Sequence, residues 1–254
     1  MEYPFDALHA GIESQILNLP AGIPDSQAVR QAKASPDSAE KFLTLGKALS
    51  RQLRYREAIA AYTEGLKAEP ENLSLLRLRA GRYLTTLQSD FAVTDFEKCL
   101  SLGAEKLDCL YRIGLAHYYA GRYLRAMETL ESCLPLCDDE MGIAVLYWHT
   151  LSAARTEKAP TLLKYDRPDM AVGHHTAYEK AMRVWSGTTP LAAALEMLES
   201  EEDDLEYGIT LYGLLWHPDC TEKECLSQSL LRRDGFWPSF AYLAAWKDRD
   251  GLRK

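Results

Sequence analysis

The fold turns on one stretch, "YREAIAAYTEGLKAEPEN", Tyr55–Asn72. Its apolar positions recur at helical spacing, and Pro70 closes the run because proline has no amide to donate to a continuing helix. Ala58 and Gly65 stand seven apart around Tyr62, so one face of this helix is nearly bare beside a ring. A bare face buries little by itself. The stretch therefore predicts a helix with a close neighbour, and the rest of the chain must supply it.

The same pattern recurs twice more. Gly46, Ala80 and Gly114 are spaced by 34, and so are Ala58, Ala92 and Ala126. Tyr62 aligns with Phe96 and Leu130, Gly65 with Cys99 and Cys133, Phe42 with Leu76 and Leu110, and Pro70 with Ala104 and Asp138. The copies are Ala39–Asn72, Leu73–Lys106 and Leu107–Glu140; the middle one departs most, with alanine for glycine and no closing proline. Glycine inside a helix costs about 1 kcal/mol against alanine, which is tolerable where it admits a second helix. Phe42, Tyr62, Phe96 and Leu130 would fill the gaps between units. One helix pair cannot cover its own apolar face, so each copy leans on the next.

This set of positions resembles the tetratricopeptide repeat (TPR), a helix–turn–helix unit of that length. The resemblance implies an all-α, right-handed α-solenoid acting as a non-catalytic scaffold or adaptor that binds a protein or peptide in a concave groove of first helices. Carried onto this chain, the inward slots are Leu43, Lys47 and Arg51, then Arg77, Gly81 and Leu84, then Tyr111, Leu115, Tyr118 and Tyr119, with His149 and Ser152 following. Apolar groups beside three cations suit a peptide with apolar anchors and an acidic flank. In the alternative, "HYYAGRY" packs on the chain's own C-terminal half and closes the groove. The best-known peptide-binding TPRs grip a C-terminal carboxylate with a lysine and asparagines. Here those slots read Leu43, Lys47, Arg77, Gly81, Tyr111 and Leu115, without asparagine, so a chaperone-tail clamp is not expected. The hairpin layout and the ending "RRDGFWPSFAYLAAWKD" also look like bacterial TPR adaptors, including lipoproteins that dock hydrolases and proteases.

Outside the three copies the pattern loosens. Residues 1–38 read as a cap, with one helix in "DALHAGIESQIL" and a Pro/Gly segment "LPAGIPDS". Met141–Thr156 reads as the first helix of a partial fourth unit (141–156), its mate in "APTLLKYDRP". Residues 157–254 read as degenerate hairpins after a break near 157–172. "TAYEKAMRVWSG" pairs with "TPLAAALEMLES", "DDLEYGITLYGLLW" with "TEKECLSQSLLRRD", and "WPSFAYLAAW" is a last helix. The acidic run Glu199–Asp204 is a solvated connection.

Composition and motifs narrow the function. The 254 residues carry a net charge of −8, which disfavours a general phosphate-backbone binder and so nucleic acid. No stretch reaches the roughly 20 apolar residues a membrane helix needs, and the N-terminus has no basic segment before an apolar core. A cytoplasmic protein with six reduced cysteines is expected. His175 and Glu179, with His174 beside them, have metal-ligand spacing, yet Thr176 and Glu179 also read as a capping box. His217, Cys220 and Cys225 form an incomplete ligand set, and Thr221 with Glu224 reads as a second box. Cys133 and Cys137 read as buried small hydrophobes. No nucleophile elbow, P-loop or dinucleotide fingerprint occurs. The expectation is no enzyme, cofactor or metal, against two rivals: a self-associating structural protein, as a homodimer, and a metal-dependent hydrolase using His174, His175 and Glu179.

Overall fold

The computed structural model describes residues 24–252. Among these, thirteen α-helices and two short 3₁₀ turns make up the regular structure, and no strand occurs. The chain divides into two compact units, Met1–Ala116 and His117–Lys254, the division falling inside a helix.

The first unit holds α1 (Gln27–Ala34), α2 (Ala39–Arg51), α3 (Tyr55–Ala68), α4 (Leu73–Thr85), α5 (Ser89–Ser101) and most of α6 (Lys106–Tyr119). From α1 to α5 each helix packs on the next along the chain, as a stack of hairpins requires. The bare face of α3 meets two neighbours. A methyl added to Gly46 on α2 would overlap the Tyr62 ring. One added to Gly65 would come within 2.8 Å of Leu75 on α4 and 3.1 Å of Phe42 on α2. Small residues thus admit the ring within one hairpin and a leucine from the next.

The period extends to caps and turns. Ser38 accepts the Lys41 amide at 3.1 Å, and Asn72, 34 positions on, accepts the Leu75 amide at 3.1 Å. Before α6, Glu105 takes the Leu107 and Asp108 amides at 2.7 Å each. These bonds satisfy amides that a helix start leaves without partners. Leu53, Leu87 and Gly121, again 34 apart, all have positive φ (60°, 54° and 73°) where a first helix turns into a second. Only the third copy uses the residue that adopts this conformation freely. Between α4 and α5, Arg79 forks onto the buried Asp95 carboxylate at 2.7 and 2.8 Å and reaches Thr63 on α3 at 3.1 Å. That fork ties three helices together.

"DALHAGIESQIL" lies outside the described residues. The helix α1 was not anticipated; Ser26, at the end of "LPAGIPDS", caps it by accepting the Val29 amide at 3.3 Å.

The second unit holds the end of α6, then α7 (Tyr123–Cys133), α8 (Asp139–Ala154), α9 (Thr176–Trp185), α10 (Leu191–Leu198), α11 (Asp204–Leu215), α12 (Lys223–Arg232) and α13 (Phe240–Leu252). Asp138 caps α8 through the Met141 amide at 2.9 Å. Every residue of α8 from Gly142 to Ala153 is buried, so this helix is the axis of the unit. The anticipated mate of α8 is no helix: "APTLLKYDRP" makes only the 3₁₀ turn Leu163–Tyr165. The stretch 157–172 is thus a long connection, whereas the division into units falls earlier. The anticipated pairing of α9 with α10 also changes. Helix α9 packs chiefly on α11 and on α8, and α10 packs only lightly on α9 and α11. Gly213 explains the preference, because a methyl there would lie 2.6 Å from the Tyr147 ring of α8 and 2.7 Å from Ala181 of α9.

Candidate functional site

The inward slots separate into an open and a shut set. On α2, Glu40, Thr44, Lys47 and Arg51 are exposed at helical spacing, and Lys47 and Arg51 have no ion pair or side-chain hydrogen bond among the described residues. On α4, Arg77 is exposed and donates Nε to Asp108 at 2.7 Å, and Asp108 also takes Arg112 Nε at 2.8 Å. Burial pushes the Asp108 carboxyl up, but the two guanidiniums outweigh it and hold it below the usual range. Gly81 is half-exposed with nothing within 4 Å of where a methyl would sit, so the face of α4 is open there. Leu43 and Leu84, expected to line a groove, are buried among the hairpins instead.

The third-copy slots are shut. Tyr111 and Leu115 are buried in the first unit. In the second, Tyr118 and Tyr119 are 3% and 1% exposed, and both phenols are occupied. The Tyr118 and Tyr212 hydroxyls lie 2.7 Å apart, Tyr212 donates to Asp248 on α13 at 2.7 Å, and Arg155 donates to the same oxygen at 2.8 Å. The Tyr119 hydroxyl donates to the Phe240 carbonyl at 2.8 Å. Trp148 stands at the middle, its ring centroid 5.0 Å from Tyr118 and 6.0 Å from Tyr212. The Arg155 guanidinium lies 3.9 Å from the Trp216 ring and 4.5 Å from Tyr123. Burial pushes the Tyr118, Tyr119 and Tyr212 phenols up, as for core groups away from water. His149 and Ser152 are fully buried too, Ser152 donating to the Trp148 carbonyl at 2.7 Å. Tyr118 and Tyr119, expected to meet a ligand, are thus taken up by α11 and α13, as in the alternative in which "HYYAGRY" packs on the chain's own C-terminal half.

No protein-family model matches the chain. It is 26% identical over 147 residues to a Saccharomyces cerevisiae protein named small glutamine-rich tetratricopeptide repeat-containing protein 2, covering 58% of this chain and 41% of that one. It is 27% identical over 105 residues to the Hsp70-Hsp90 organizing protein of Triticum aestivum, covering 41% of this chain and 18% of that one. With the 34-residue period and the nested glycines, these relatives support a TPR protein. The chain is built from tetratricopeptide repeats. A solved TPR protein, described as YrrB with an unusual peptide-binding site, superposes with a TM-score of 0.48 at 15% identity over 81% of this chain and all of that one, too loose a likeness to argue from. The chain spans 41% and 18% of the curated relatives it matches, and neither is bacterial.

Outside the TPR slots, the groups with ligand-like spacing have local tasks. Thr176 is the first residue of α9, not its cap, and its hydroxyl donates to Glu206 at 2.9 Å. The expected capping box is absent because the helix starts at Thr176 itself, which leaves His175 in the cap position. His175 donates Nδ1 to the Glu140 carbonyl at 2.5 Å, and Glu179 takes Arg183 at 2.6 Å, so the two point to different partners. The second expected box also fails: α12 starts at Lys223, behind Glu222, with no side-chain cap. His217 accepts the Asp219 amide at 3.3 Å, Cys220 is buried and Cys225 exposed. Among the described residues no three His, Cys, Asp or Glu side chains converge as metal ligands. Cys99 and Cys133 fill the small slot beside their hairpins, and burial pushes the Cys99 thiol up to about 11. Both serve as small apolar groups. No described helix is long and apolar enough to cross a membrane.

Proposed function

We propose that this TPR chain is a non-catalytic interaction module, and that its first unit binds an acidic segment of a partner protein along the open faces of α2 and α4. The observation that carries the reading is the pair Lys47 and Arg51, one helical turn apart, exposed and unpaired among the described residues. A cation that already has a carboxylate gains little from a ligand, as Arg77 on α4 has in Asp108; Lys47 and Arg51 have none among the described residues. The open floor at Gly81 lets a peptide backbone come close. Charge distribution supports the same polarity. The first unit, residues 1–116, carries 14 basic and 15 acidic side chains and is near neutral, against 15 and 22 in residues 117–254.

The wheat relative's name links that protein to Hsp70 and Hsp90. Without asparagines in the matching slots, this groove reads acidic side chains along a segment, not a terminal carboxylate. The shut slots at Tyr118 and Tyr119 confine the binding to the first unit. An unbiased peptide-display selection on the immobilised protein tests this. Enriched peptides should be acidic with apolar anchors, and Lys47→Glu with Arg51→Glu should weaken them about tenfold, as expected for losing two charge contacts. Enrichment of basic peptides, or binding unchanged by the double reversal, overturns it.

A further inference from the structure

We propose that the second unit carries a separate binding site, an aromatic cleft between α9, α11 and the start of α13 that takes a lysine or arginine side chain from a basic segment of a partner protein. The cleft encloses about 260 Å³ and is lined by the rings of Tyr178, Phe236 and Phe240, by Pro238 and Ile209, and by the Glu206 carboxylate. Histidines 174 and 175 also border it, and no lysine or arginine is among its lining residues. The site goes beyond the groove proposed above, shares no residue with it, and stands or falls separately.

Three observations point to a cation as the occupant. Phe236 is 52% exposed at the cleft, in a unit whose other large aromatics are mostly buried. This unit repeatedly covers its accessible rings with its own cations. Arg233 lies 4.1 Å from the Tyr207 ring, Lys164 5.0 Å from Tyr165, Arg155 4.5 Å from Tyr123, and Arg155 and Lys223 share Trp216. Phe236 has no such cation among the described residues, so its electron-rich face is left for a ligand's.

The second observation is the carboxylate. Glu206 Oε2 accepts Thr176 at 2.9 Å and Lys180 at 3.2 Å, while Oε1 takes no hydrogen bond among the described residues. A charged acceptor beside aromatic rings is the combination that binds an ammonium or guanidinium better than either part alone. The third is the field around the cleft. The acidic run Glu199–Asp204 leads directly into Leu205 and Glu206 of the cleft wall, and the unit holds 22 acidic against 15 basic residues. Exposed Glu199 and Glu202 in that run would draw a basic segment in before the ring contact forms.

The test is titration calorimetry of the full chain with a blocked Arg-Gly-Arg-Gly peptide, its citrulline counterpart and a Glu-Gly-Glu-Gly control. The arginine peptide should bind and the other two should not. Phe236→Leu keeps apolar volume but removes the aromatic face, and it should weaken binding on the order of fivefold, the size of a partly exposed cation–ring contact. Glu206→Gln should weaken it similarly, while Lys47→Glu in the first unit should leave it unchanged. Thermal melts of both cleft variants matching the parent would show that the fold is intact. No binding of the arginine peptide, equal binding of citrulline, or indifference to Phe236→Leu each overturns the proposal. Indifference to both cleft variants with strong salt dependence would show a diffuse acidic surface instead.

Discussion

At the scale of residues, the account rests on side chains that are small because another group occupies their space. Gly46 is the clearest case. The Tyr62 ring that fills the place of its missing side chain is itself 1% exposed and has little room to swing away. Helix propensity alone would make Gly46→Ala stabilising by about 1 kcal/mol. Overpacking opposes it, and we expect a net loss of about 1–3 kcal/mol in urea denaturation. A neutral or more stable variant would mean that the ring does not nest there. Cys99 and Cys133 do the same work where the first copy has Gly65, which explains why thiols recur without chemistry.

At the scale of elements, α8 carries a titratable group with no access to water. His149 is fully buried; burial lowers its pKa, and the Glu131 carboxylate at 3.3 Å opposes this only in part. The fold therefore holds the neutral ring. In the unfolded chain the ring takes a proton below its ordinary value near 6.5. Stability from this group is full above that pH, falls as the pH drops through the window toward the lowered folded pKa, and then levels off. Urea midpoints measured across that window should decline for the parent and decline less for His149→Gln. Equal slopes would remove His149 as the source.

The elements also show what a sequence reveals and what it hides. The hairpins from α2 to α5 were legible because each copy repeats the same small and large positions, and the Ser38 and Asn72 caps keep that register. Past α8 the register fails for a physical reason: α9 packs on α11 across the lightly held α10, although α11, α12 and α13 again pack in sequence order. The capping boxes at Thr176 and Thr221 fail on register, since the caps are His175 and Glu222 and neither threonine precedes its helix by the required single step. Carried over from the TPR resemblance, Lys47, Arg51 and Arg77 could be placed on exposed faces. Tyr118 and Tyr119 could not, because an aromatic that lines a groove and one under a covering helix look alike until α13 is in place.

At the scale of the whole molecule, the two units differ in charge and in how they treat the same repeat position. The slot that is open at Arg51 in the first copy holds buried Tyr119 in the third, 68 residues later. One architecture thus offers a basic open face in one unit and a covered one in the other. The most direct test is amide hydrogen exchange of the full chain with and without an acidic peptide taken from the display selection. Slowed exchange should appear in α2 and α4, within 39–85, and not in α8 to α13. Protection confined to 139–252, with none in α2 or α4, would contradict the account.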